Sequence, residues 1–106
     1  MKNKRVLVCG YPSFDLERYL KWLYPHTIIT IEEHSDVDDD VWKIGEELAC
    51  GLISVPYEDV KNLKFIDLAL IFWDKKDNET KKIINFCKSR EITTIIVYGD
   101  KNETWD

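Results

Sequence analysis

With 106 residues, 44% of them hydrophobic and 33% charged, the chain suits one domain with one real core. A formal net charge of −5 and a pI near 5.0 argue against general nucleic-acid binding and against an anionic membrane surface. They leave room for a basic protein partner or a metal ion.

The elements follow in chain order. Val6 to Cys9 is a short apolar run stopped by Gly10, which predicts a central strand. Tyr11-Pro12-Ser13 is a turn, and Ser13 can cap a helix whose apolar face is Leu16, Leu20 and Leu23. Pro25 marks its end, and β-branched Thr27 to Ile31 predicts the second strand. Ser35 or Asp36 caps a second helix with Val37, Val41, Ile44 and Leu48 on one face, and Gly51 is expected to end it. Leu52 to Val55 predicts a third strand closed by Pro56, and residues 57–64 a loop or short helical turn. Ile66 to Trp73, apolar except Asp67, predicts a fourth strand. Asp77 to Arg90 predicts a third long helix with Thr80, Ile83, Ile84 and Cys87 inward, and Thr93 to Tyr98 a fifth strand ended by Gly99. The tail from Asp100 to Asp106 reads as a frayed polar end onto which Trp105 can pack back.

Apolar strands alternating with amphipathic helices predict an α/β fold. It is a single Rossmann-like three-layer sandwich of about five parallel strands in the order 3-2-1-4-5. The three cysteines, Cys9, Cys50 and Cys87, are odd in number and form no CxxC pair. They read as small buried hydrophobes, and reduced thiols suit a cytosolic compartment. The apolar run after the basic start is shorter than the about 7–15 residues of a signal peptide. No run approaches the roughly 18 of a membrane span. A soluble, cytoplasmic protein with no membrane association is expected.

In such a sheet the ligand crevice lies beyond the carboxyl ends of the strands, between the first and fourth. The first loop there, Gly10-Tyr11-Pro12-Ser13-Phe14, is neither GxGxxG nor a P-loop. Gly10 can let a ligand approach the backbone or simply terminate the strand, and Tyr11 and Phe14 can stack on a base. The second loop, Glu32 to Asp40, holds six carboxylates in nine residues. Those in the first helical turn complement the helix dipole. They also repel phosphate: at about 6 Å each costs roughly 0.7 kcal/mol even at the dielectric of water. Glu32, Glu33, Asp36 and Asp74 are weak candidates as hard oxygen ligands for Mg²⁺ or Ca²⁺, although their spacing matches no EF-hand. His34 lies in the acidic loop and His26 near a helix end, and no cysteine or serine sits at a fitting elbow, so no catalytic nucleophile–base pair is visible.

The third loop carries a resemblance. Phe72-Trp73-Asp74, Lys76, Thr80-Lys81 and Ile84 resemble the segment "FWDGKSxGTxxMI" of the YspA-like branch of the SLOG superfamily of small Rossmann-like proteins. Val6 to Gly10 followed by Phe14 is similar to that family's opening, "VLVCGGRxF". The middle motif, "HGGARGAD", would fall on Glu33 to Asp40. The resemblance covers residues 5 to 98 and implies binding of a nucleotide-derived ligand. It places Gly10, Tyr11, Pro12, Ser13, Phe14, His34, Ser35, Asp40, Trp73, Asp74, Lys76 and Thr80 at the ligand. The departures are consistent with one another. Tyr11 stands for a glycine in the first loop, His34, Ser35 and Asp38 in the second, Lys75 and Glu79 in the third. A phosphate cradle needs bare backbone amides, and side chains at these positions block it.

Three functions are therefore expected. One is a divergent SLOG-like binding domain, either sensing a nucleotide-derived small ligand or regulating without catalysis. Another is a protein–protein interaction module of accessory or phage type, using its acidic loop face on a basic partner. The third is a metal-dependent nucleotide or nucleoside hydrolase with Asp74 or Glu33 as base or metal ligand. A homodimer is an open partner choice, because small sheets must cover their edges, with Trp22 and Trp105 as candidate anchors.

Overall fold

The computed structural model describes residues 4–10, 16–23, 25–32, 38–73 and 75–98, with backbone alone at 16–18, 38–40 and 98. In chain order it contains β1 (Arg5–Gly10), α1 (Leu16–Leu23), β2 (Thr27–Ile31), α2 (Asp38–Glu47), β3 (Gly51–Val55), a 3₁₀ helix (Tyr57–Asn62), β4 (Leu68–Trp73), α3 (Asn78–Ser89) and β5 (Thr93–Tyr98). All five strands pair in parallel in the order β3-β2-β1-β4-β5. The expected Rossmann-like architecture is thus the one observed.

The apolar strands split their side chains between two faces, because successive residues of a strand point to opposite sides. Val6, Val8, Ile28, Leu70, Phe72 and Val97 form one core with Leu20 of α1 and Val41 and Ile44 of α2. Leu7, Cys9, Ile29, Ile31, Ala69 and Ile71 form the other with Val60 of the 3₁₀ helix and Ile83, Ile84 and Cys87 of α3. Right-handed crossovers force this division. Chain steps leftward through β2 and β3 put α1 and α2 on one face, and steps rightward to β4 and β5 put the 3₁₀ helix and α3 on the other. The four residues expected to point inward from α3 are all buried.

Three local expectations are corrected. Gly51 does not end α2. The helix stops at Glu47, Ala49 takes the left-handed turn at φ 58°, and Gly51 is already in β3, paired with Thr27. The fourth strand starts at Leu68 rather than Ile66, because Asp67 is used otherwise. Its carboxylate accepts from the Arg5 amide at 2.9 Å while its own amide donates to the Arg5 carbonyl, also at 2.9 Å. That reciprocal pair fixes the register of β1 against β4 at their amino ends. Cys50 is half-buried rather than buried, and its thiol donates to the Pro25 carbonyl. The caps expected at Ser13, Ser35 and Asp36, the helix-face residue Val37 and the tail from Gly99 lie outside the described residues, and so does the side chain of Leu16.

The β3-to-β4 crossover is the feature that shapes the surface. Where the other crossovers carry an α-helix, this one carries a 3₁₀ helix that starts after Pro56 and ends at extended Leu63. So short an element covers little of its face. Ile53 on edge strand β3 remains 38% exposed and Phe65 71% exposed.

Candidate functional site

At the switch point β1 and β4 lie flush. Gly10 pairs with Phe72 at φ +107°, and a Cβ on Gly10 would sit 1.8 Å from the Phe72 carbonyl oxygen. The glycine is required by strand-on-strand approach, whether or not a ligand binds. Tyr11, Pro12, Ser13, Phe14, His34, Ser35, Asp74 and the metal candidates Glu33 and Asp36 lie outside the described residues. Asp40 is described in backbone only, in the first turn of α2. Of the sequence-chosen site, the structure places the side chains of Trp73, Lys76 and Thr80.

These three do different things. Lys76 is exposed, whereas Thr80 is completely buried. Trp73 is half-buried against the α3-side core, and its indole Nε1 donates to the Asp77 carbonyl at 3.0 Å. Asp77 is the N-cap of α3: its carboxylate accepts from the Thr80 amide at 3.2 Å and from the Thr80 hydroxyl. The loop is thus tied to its own helix. A negative charge occupies the positive end of the helix dipole, where an anionic ligand would otherwise be favoured. Sequence reasoning placed the helix start at Asp77 without assigning the cap. The available signal was an aspartate three residues before a threonine at the start of an apolar-periodic run.

Lys75 sits at φ 70°, in the left-handed region that glycine adopts without cost. This is the position where the SLOG segment has glycine. The loop therefore has a backbone shape that suits glycine and carries a lysine side chain instead.

Glu79, at the second such position, pairs within its own helix, with Lys82 Nζ 3.6 Å from its carboxylate, and it neighbours Tyr57. Burial and the neighbouring carboxylates of Glu79 and Asp77 together push the Tyr57 phenol from 10.0 up to about 12. Between these values the unfolded chain has lost the phenol proton and the folded chain retains it. The unfolded state binds fewer protons there, so stability is fully present below pH 10 and falls as pH rises towards 12. In a spectrophotometric tyrosine titration, one phenol is expected to ionise late, near pH 12. Tyr57→Phe should remove that late step and flatten the alkaline loss of stability, and a titration unchanged by the substitution would refute the assignment.

The cysteines are unsuited to catalysis. Burial raises the Cys9 thiol well above its ordinary value, with Cys87 and Asp77 adding to the effect, and burial lifts Cys87 to about 11. The thiolate is the nucleophile, so both are inert at neutral pH. Among the described residues no group of three or more His, Cys, Asp or Glu side chains is placed to hold a metal ion. Nor, among the described residues, is any helix long and apolar enough to cross a membrane.

Compared with protein-family models, curated proteins and solved structures, the chain matches none. The fold and the site geometry therefore define the class, a small parallel α/β domain with a self-capped switch-point helix.

Proposed function

We propose that this chain is a divergent SLOG-like binding domain that regulates by contact and performs no catalysis, its switch-point loop no longer serving as a phosphate cradle. The observation that carries the reading is the Asp77 carboxylate seated on the Thr80 amide and hydroxyl at the start of α3. A phosphate arriving there would meet a like charge and a side chain at Lys75, where a cradle needs bare backbone.

A thermal-shift screen with adenine and guanine nucleotides, nucleosides and Mg²⁺ tests it. A ligand present at 100 times its Kd stabilises by about 2.7 kcal/mol, which for a domain of this size is a shift on the order of 10 °C. The expected result is no shift at millimolar nucleotide. A clear nucleotide-dependent rise in Tm would restore the ligand-sensing reading and overturn this one.

A second reading is favoured by the start of α2 at Asp38, which puts Asp38, Asp39 and Asp40 in a single turn following β2. On that reading the acidic turn meets a basic protein partner. Changing the three to Asn should then abolish capture of the partner, and unchanged capture would remove the acidic turn from the interface.

A further inference from the structure

A groove of about 360 Å³ lies on the opposite side of the sheet from α1 and α2, between the 3₁₀ helix and α3. Tyr57, Val60, Lys61, Lys82, Ile83 and Phe86 line it. Its size falls in the range of small-molecule sites, which is roughly 300–1,000 Å³. Val60 and Ile83 are rooted in the core, so they supply a fixed apolar floor.

Two contacts frame it. At one end the Tyr57 phenol lies beside Glu79. At the other, Arg90 Nη2 donates to the Lys61 carbonyl at 3.1 Å, and its guanidinium lies 5.2 Å from the centre of the Phe86 ring. The short crossover and the long helix are thus tied by a hydrogen bond at the Arg90 end, with the groove between them. A site held open in this way needs little ordering when a ligand binds.

The charge is unlike that of the rest of the protein. Lys61 and Lys82 line the groove and Arg90 stands at its end, against two carboxylates, Glu79, which lies 3.6 Å from Lys82, and Asp77 near Tyr57. Glu58 and Asp59 are exposed on the 3₁₀ helix and do not line the groove. This is a cationic rim in a chain of net charge −5. A rim of that sign around an aromatic and aliphatic interior complements a flat apolar body bearing an anion.

We propose that this groove is a binding site for a small aromatic anion, with the ring between Tyr57 and Phe86 over Val60 and Ile83, and the carboxylate reaching Lys61 and Lys82. None of the lining residues belongs to the cap at residues 77–80, so the proposal does not depend on whether nucleotides bind there.

The test is an amide chemical-shift titration of the whole chain with 2-naphthoate and with its neutral analogue 2-naphthamide. Saturable shifts centred on residues 57–62 and 82–86 are expected from naphthoate, with naphthamide at least tenfold weaker. Lys61→Glu and Lys82→Glu should each weaken naphthoate at least tenfold, and Lys88→Glu, on the exposed side of α3, should not. A spectrum otherwise unchanged establishes that a variant is folded, and Lys→Ala replaces any variant that is not. Absence of saturation at 5 mM, equal affinity for the two probes, or shifts centred on residues 73–80 would each overturn the proposal. Binding of an acidic aromatic peptide without binding of naphthoate would overturn the ligand class.

Discussion

Gly10→Ala is expected to destabilise the protein by at least about 3 kcal/mol, a large share of the 5–15 kcal/mol that holds a domain together. Two costs combine. The residue sits at φ +107°, where any L side chain is strained. The added Cβ would also lie 1.8, 2.7 and 2.9 Å from the carbonyl oxygen, carbonyl carbon and nitrogen of Phe72. These are backbone atoms of a central strand, hydrogen-bonded on both sides to β1 and β5, so no flexible chain end can swing away. Relief requires β1 and β4 to part at the Gly10–Phe72 pair. Urea unfolding followed by tryptophan fluorescence checks this, with the midpoint falling and the slope unchanged. A loss below about 1 kcal/mol would mean that the strands separate easily at Gly10.

Asp77→Ala is the second large effect. Removing an N-cap costs about 1 kcal/mol on its own. Here the same carboxylate also satisfies the hydroxyl of Thr80, which has no exposed surface. Leaving a buried hydroxyl unpaired adds roughly 1–3 kcal/mol. The sum is about 2–4 kcal/mol. Asp77→Asn retains an acceptor oxygen and should cost well under half as much. Adding Thr80→Val to the alanine variant removes the orphaned hydroxyl and should recover part of the loss, which a double-mutant cycle measures as a coupling between the two sites. Equal costs for the Ala and Asn variants would show that charge, rather than the acceptor, holds the helix end. The Trp73 indole bonds to the Asp77 backbone carbonyl, so that contact survives either substitution.

Strand existence and order were legible because the apolar runs are short, β-branched and alternate with amphipathic helical stretches. Thr27–Ile31 and Thr93–Tyr98 have the bounds the sequence predicts. The misplaced boundaries have specific causes. Gly51 was read as a helix terminator because glycine favours that role, yet Ala49 takes the left-handed turn and leaves Gly51 to begin β3. Ile66 and Asp67 were read into the fourth strand on hydropathy, and the reciprocal pairing of Asp67 with Arg5 cannot be seen without knowing that β1 and β4 are neighbours.

The candidate sites divide in the same way. The switch-point loops follow from strand order and could be located in the sequence. The cap at Asp77 had a local signal in the aspartate three residues before Thr80, whereas the nearness of Glu79 to Tyr57 could not be seen, since the two lie on different elements. The groove had no signature. Tyr57, Val60 and Lys61 lie in a crossover that reads as a plain loop, and Lys82, Ile83 and Phe86 as ordinary members of an amphipathic helix.

By itself the sequence determined the class of fold, the inward faces of the helices and the acidity, because periodicity and composition act locally and additively along the chain. The tertiary structure alone decided that Gly10 serves the β1–β4 contact and that a cationic groove opens beside the 3₁₀ helix. Both depend on groups that lie far apart in the chain and are brought together by packing.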